Sequence, residues 1–170
     1  VAGTTWWQVE GIVYIETYVG FLWTPGLGPT VFEESTNVYF NDNLAAPSEI
    51  SDNGVVAGTI VFFNQFQNRP YRWSASDGLE LLPQGGHNLG SAIAVSADGA
   101  VIGGAVQQSF ATPTRAARWS SEGLQVLGPS GESSFVWDTS DDGAVLGLDH
   151  RSVAPERQAR DLIERLAGVD

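Results

Sequence analysis

Small or polar positions alternate with apolar ones through Ser91-Ala92-Ile93-Ala94-Val95-Ser96, break at Ala97-Asp98-Gly99, and resume as Ala100-Val101-Ile102-Gly103-Gly104-Ala105-Val106. Period-two alternation on both sides of an Asp-Gly pair predicts a β-hairpin, because glycine takes positive φ without steric cost. A polar stretch then leads to a third strand, Arg115-Ala116-Ala117-Arg118-Trp119-Ser120. A Ser-Glu-Gly turn leads to a fourth, Leu124-Gln125-Val126-Leu127. The same cues predict strands over residues 48–51, 55–62, 70–74 and 79–82, and a last arm over residues 145–148. Alternation of small with apolar residues on the glycine-containing strands suits strands buried on both faces.

The pattern recurs. Its turns are Ser51-Asp52-Asn53-Gly54, Ser96-Ala97-Asp98-Gly99 and Ser140-Asp141-Asp142-Gly143, with glycines 45 and 44 residues apart. Trp23, Trp73 and Trp119 recur at 50 and 46, each ahead of a Gly-Leu pair: Gly26-Leu27, Gly78-Leu79 and Gly123-Leu124. Four strand-like pieces in such a period are the mark of propeller blades or a related array. The expected fold is therefore all-β: a β-propeller-like array of four-stranded antiparallel units, about three repeats plus a stray strand, over residues 1–150. Recurring tryptophans are expected to pack between units, and the Ser and Asp side chains of the turns to cap their own backbone. Val1-Ala2-Gly3-Thr4 matches Val56-Ala57-Gly58-Thr59, and position 1 is not Met, so the chain reads as a processed or excised piece that opens inside a unit. Three units are too few for a closed ring, so further repeats or a homo-oligomer are expected to complete it.

Residues 151–170 depart from this pattern. Pro155 at a first turn, Ala159, Leu162, Ile163 and Leu166 on one stripe, and Gly168 at a C-cap position predict an amphipathic helix. It is expected to cap the edge left open after residues 145–148, or else to dock on another subunit or domain.

Charge narrows the partners. Twenty carboxylates face eight basic residues, all arginine, for a net charge of −12; four of the arginines lie after residue 150. Such a surface repels phosphate backbones, which argues against nucleic acid and anionic membranes. No apolar run is long enough for a membrane-spanning helix, and with no cysteine there is no disulfide framework or thiolate metal site. The acid excess without lysine also suits a salt-adapted or high-GC organism.

Candidate chemistry lies in the segments between second and third strands, because variable loops on a regular scaffold are where binding resides. Residues 4–18 carry Trp6, Trp7, Tyr14 and Tyr18, and residues 62–68 carry Phe62, Phe63 and Phe66; the third such loop, residues 107–114, is plainer. These seven aromatics, set among Gln, Asn and carboxylates, fit three readings: extension of the core, a protein interface with aromatic anchors, or a platform for stacked sugars. No catalytic, metal or cofactor site is expected. His87 and His150 are far apart and lack partners at ligand spacing, Glu33-Glu34 and Asp141-Asp142 are adjacent instead of facing, and no nucleophile elbow, P-loop or dinucleotide motif occurs. An enzyme on this scaffold, a glycan-active hydrolase, is the reading of a different class.

Taken together, Phe21-Leu22-Trp23-Thr24-Pro25-Gly26, residues 91–104 and Ala117-Arg118-Trp119-Ser120 resemble the HAF-type extracellular repeats of prokaryotic surface and secreted proteins, over about residues 18–148. Gln84-Gly85-Gly86-His87-Asn88-Leu89-Gly90-Ser91 is similar to that family's Gly-Gly-x-x-Ser linker, from which residues 40–48 and 130–134 depart. The resemblance implies a propeller-like, exported and non-catalytic domain of a prokaryotic surface or secreted protein, from a family without a well-defined biochemical activity. The function expected of this chain is structural assembly or adhesion through protein contacts. Carbohydrate binding by the loop aromatics is the alternative.

Overall fold

The computed structural model describes residues 2–8, 16–31, 43–62 and 65–150. These form thirteen β-strands and no helix. The segment expected to be a C-terminal helix, residues 151–170, and residues 32–42 lie outside the described residues.

The strands follow one another as antiparallel meanders. The first is β1 (Ala2–Gln8), β2 (Glu16–Thr24) and β3 (Gly28–Val31). The second is β4 (Asn43–Ile50), β5 (Val56–Phe62), β6 (Gln67–Ser74) and β7 (Gly78–Leu81). The third is β8 (Leu89–Val95), β9 (Ile102–Gln107), β10 (Arg115–Ser120) and β11 (Gly123–Val126). A hairpin, β12 (Ser133–Thr139) and β13 (Val145–His150), is the fourth. One parallel bridge, Asn68 to Leu89, links the second and third meanders into an eight-stranded sheet; the first and fourth are separate sheets. The described strands do not close into a ring.

Each meander stacks on the one before it. β4 lies against β1 and β2, β8 against β4, β5 and β6, and β12 against β8, β9 and β10. The core is accordingly divided between these layers. One cluster joins Val55, Ala57 and Leu82 of the second meander to Val95, Ile102 and Trp119 of the third, and another packs Val56, Ile60, Tyr71 and Trp73 with Leu22 of the first. Trp73 and Trp119 therefore lie between sheets, as expected. Trp119 Nε1 also donates to the Pro83 carbonyl of the preceding meander at 2.7 Å.

The two faces of a meander differ in size. Bulky residues such as Val56, Ile102 and Trp119 face backwards, whereas the forward faces hold the cross-strand pairs Glu49/Ala57, Ala46/Thr59, Ala94/Gly103 and Ser91/Ala105. The fit is close enough that a Cβ on Gly103 would lie 2.5 Å from Val136 Cγ1 of the fourth meander. Small residues on the glycine-bearing strands thus make room for the next sheet.

Register also corrects three sequence readings. The residue paired with Thr24, as Gly78 is with Ser74 and Gly123 with Ser120, is Gly28, not Gly26. The middle hairpin turn holds one residue more than the others: the Ser96 amide bonds the Val101 carbonyl, five residues on, whereas Ser51 bonds Val55 and Ser140 bonds Ala144, four on. That extra residue makes Gly104, and not Gly103, the counterpart of Gly58 and Gly147. In addition, β4 begins at Asn43, well before the strand expected at 48–51, because residues 43–47 continue the ladder with β5 beyond a bulge at Ser48. Equivalent bulges fall at Ile93 and Trp137, 45 and 44 residues further on.

Candidate interaction surface

The turns between first and second strands occupy one end of the sheets. In the middle turn Ser96 is fully buried; its Oγ donates to Asp98 Oδ1 at 2.7 Å and accepts from the Val101 amide at 3.0 Å, while the Ala100 amide donates to Asp98 Oδ1 at 2.9 Å. In the third turn Ser140 Oγ and the Ala144 amide likewise donate to Asp142 Oδ1, and in the first turn Asn53 takes the Asp place, with Ser51 Oγ donating to its Oδ1 at 2.6 Å. The side chains cap their own turns, as expected from their short polar reach. Neighbouring turns are also joined: the Asp52 amide donates to the Ala97 carbonyl at 3.1 Å and Asn53 Nδ2 to the Asp98 carbonyl at 2.6 Å. Asp141-Asp142 sits in the third of these turns, as its Ser-x-Asp-Gly signal predicts. Among the described residues no three His, Asp or Glu side chains are grouped to hold a metal.

These hydrogen bonds set a pH response. The Ser96 hydroxyl and then the Ala100 amide hold the Asp98 carboxyl below its ordinary value, and Ser140 and then Ala144 do the same for Asp142. Asp77 is lowered by Ser74 Oγ, then Ser76 Oγ, with a smaller contribution from Arg72. A carboxyl whose folded pKa is depressed contributes stability that is present above its unfolded value and is lost as pH falls through the folded one. Melting temperature should therefore decline below about pH 4. In a variant carrying Asp77→Asn, Asp98→Asn and Asp142→Asn the decline should be shallower, the amide keeping the acceptor that Asn53 already uses. Equal slopes between pH 5 and 2.5 would contradict this.

The opposite end carries the loops between second and third strands. In the β5–β6 loop the Gln65 amide closes a turn on the Phe62 carbonyl at 3.1 Å, and Phe66 follows with φ of 50°. It is the one non-glycine residue at positive φ among those described, and its side chain is 77% exposed. Phe62 is half-buried beneath the Arg69 guanidinium, 5.6 Å from the ring centroid. The β9–β10 loop is braced from within. Thr112 Oγ1 accepts from the Ser109 amide at 3.0 Å and donates to its carbonyl at 2.8 Å, Gln107 Nε2 donates to the Thr112 carbonyl at 2.5 Å, and Asn88 Nδ2 holds the Gln108 carbonyl at 3.0 Å. At its tip Phe110 is 66% exposed.

Five of the seven aromatics read from the sequence lie among the described residues. Trp6, Trp7 and Tyr18 belong to strands and not to a loop, because the β1–β2 ladder runs out to Gln8 and Glu16; Trp6 is paired with Tyr18 and Trp7 with Thr17. Tyr14 and Phe63 lie outside the described residues. Phe66 is prominently displayed, whereas Phe62 is half-buried. Phe110 does not stand out in the sequence because its loop is short and otherwise polar; its position at the same loop in the next meander is the signal that marks it. Trp137, 63% exposed at its bulge, carries no such loop signal. Of the histidines, His87 is engaged locally, with Nδ1 2.8 Å from the Gln84 carbonyl.

No protein-family model, curated protein or solved structure matches this chain.

Proposed function

We propose that this chain is a non-catalytic, propeller-type β-repeat domain of the HAF kind, displayed outside a prokaryotic cell, which works in assembly or adhesion by gripping protein partners at its loop end. The observation that carries this reading is the pair of phenylalanines at equivalent loop tips, Phe66 and Phe110, raised on an internally hydrogen-bonded scaffold. Phe66 is disfavoured twice, as an exposed aromatic ring and as a non-glycine residue in the left-handed region. Such local conflicts concentrate where a surface is used, and aromatic anchors on a polar surround suit protein contacts. Stacking in sequence, each forward face receiving the next sheet, supports the propeller-type arrangement.

Binding of the purified chain to isolated bacterial envelopes tests this. Binding should survive periodate oxidation of the envelope, disappear after protease treatment, and fall about tenfold when Phe66 and Phe110 are both changed to Ala. Loss on periodate with survival of protease would replace the protein reading with a glycan one. Carboxylate-dependent turnover of glycosidic substrates would replace both with an enzyme.

A further inference from the structure

The fourth meander departs from the rule of forward faces. Where the second and third carry Ala46/Thr59 with Glu49/Ala57, and Ser91/Ala105 with Ala94/Gly103, the fourth carries Phe135/Leu148 and Asp138/Leu146 at the same register positions. Position for position, Leu146 stands where the others have Ala57 and Gly103. Those small residues admit the following sheet at contact distance, and Gly103 lacks room even for a methyl group against Val136. A further sheet arriving at the same spacing would collide with Leu146 and Leu148. Both are instead open, at 67% and 56% exposure.

We propose that this enlarged face ends the stack and receives residues 155–167 of the same chain, whose stripe of Ala159, Leu162, Ile163 and Leu166 covers Leu146, Leu148 and Phe135. Dimensions agree. A helix of that span is roughly 20 Å long, and the six residues of β13 extend roughly 20 Å. Residues 151–154 can reach about 14 Å, enough to bring a helix of ~10–12 Å diameter back over the strand that precedes it. Charge favours this occupant over a second copy. Residues 129–148 hold Glu132, Asp138, Asp141 and Asp142 with no basic residue, so two such faces would set acid against acid, whereas residues 155–167 balance Arg157, Arg160 and Arg165 with Glu156, Asp161 and Glu164 and bring no net charge. The stacking order carries this assignment whatever the loop end binds, and the two surfaces are probed separately.

Limited trypsin digestion of the full chain, followed by intact mass, provides the test, since trypsin can cut the segment only after its arginines. Cleavage after Arg157, Arg160 and Arg165 should be slow in the native chain and at least ~10-fold faster in Leu146→Asp/Leu148→Asp, which opens the docked segment. Leu162→Asp/Ile163→Asp should release the tail equally from the other side, with the sheet circular dichroism unchanged and envelope binding retained. Equal cleavage rates in native and variant chains would overturn the proposal. A native dimer in sedimentation that Leu146→Asp/Leu148→Asp converts to monomer would overturn it in favour of self-docking.

Discussion

Gly104→Ala should lower stability by about 3 kcal/mol or more, a fall in melting temperature of roughly 6–12 °C for a chain of this size. The reason lies in the backbone. At Ile93 the strand β8 holds one residue more than its partner β9, and beyond this bulge the Ser91 carbonyl oxygen lies over the Gly104 Cα. A Cβ there would meet that oxygen well inside van der Waals contact and the Ala92 Cα at 3.0 Å. Neither atom can move without breaking the ladder, since a bulge already spends the local freedom of its strand. Gly58 and Gly147 occupy the same place against the Ala46 and Phe135 carbonyls. Gly103→Ala is the control. Its obstacle is the Val136 side chain, which can shift, so the cost should be nearer 1 kcal/mol. Thermal melts that rank the two variants in the reverse order would show that the approach of the bulged strand does not set the glycine requirement.

The glycine comparison also marks where sequence reading reaches its limit. Hairpin turns are local, and their signals, Ser-x-Asp-Gly with alternating flanks, located all three correctly; residues 115–120 were even bounded as observed. The Gly58, Gly103 and Gly147 alignment fails by one residue because the extra turn residue before Val101 appears only in hydrogen bonding. β12 went unseen because Ser133-Ser134-Phe135-Val136-Trp137 lacks the small alternation of its counterparts, and that lack is the same enlargement that sets the fourth forward face apart. Small residues on forward faces were visible as a pattern, but their meaning depends on which sheet lands on them, a long-range fact. The site was less legible. Trp6 and Trp7 look like loop aromatics until the ladder to Gln8 is known, whereas Phe110 looks plain until its loop is seen to share an end with that of Phe66.

The three recurrent tryptophans should then differ sharply in cost despite their shared motif. Trp119 is 3% exposed, packs against Val55 and Leu82 of the preceding meander, and donates to the Pro83 carbonyl. Trp119→Ala removes a large buried ring, leaves a cavity between two sheets and strands that carbonyl, for a loss of about 4 kcal/mol, or roughly 8–16 °C in melting temperature. Trp73, 7% exposed in the other layer, should behave alike. Trp23 is 44% exposed, so Trp23→Ala forfeits only part of the burial and should cost about 1–2 kcal/mol. If the three variants melt together, the stabilising role of the motif resides within each meander, in the pairing of the Trp strand with its neighbours. If they separate in this order, the ring stabilises the fold only where another sheet covers it, and the layers between meanders are the core of the protein.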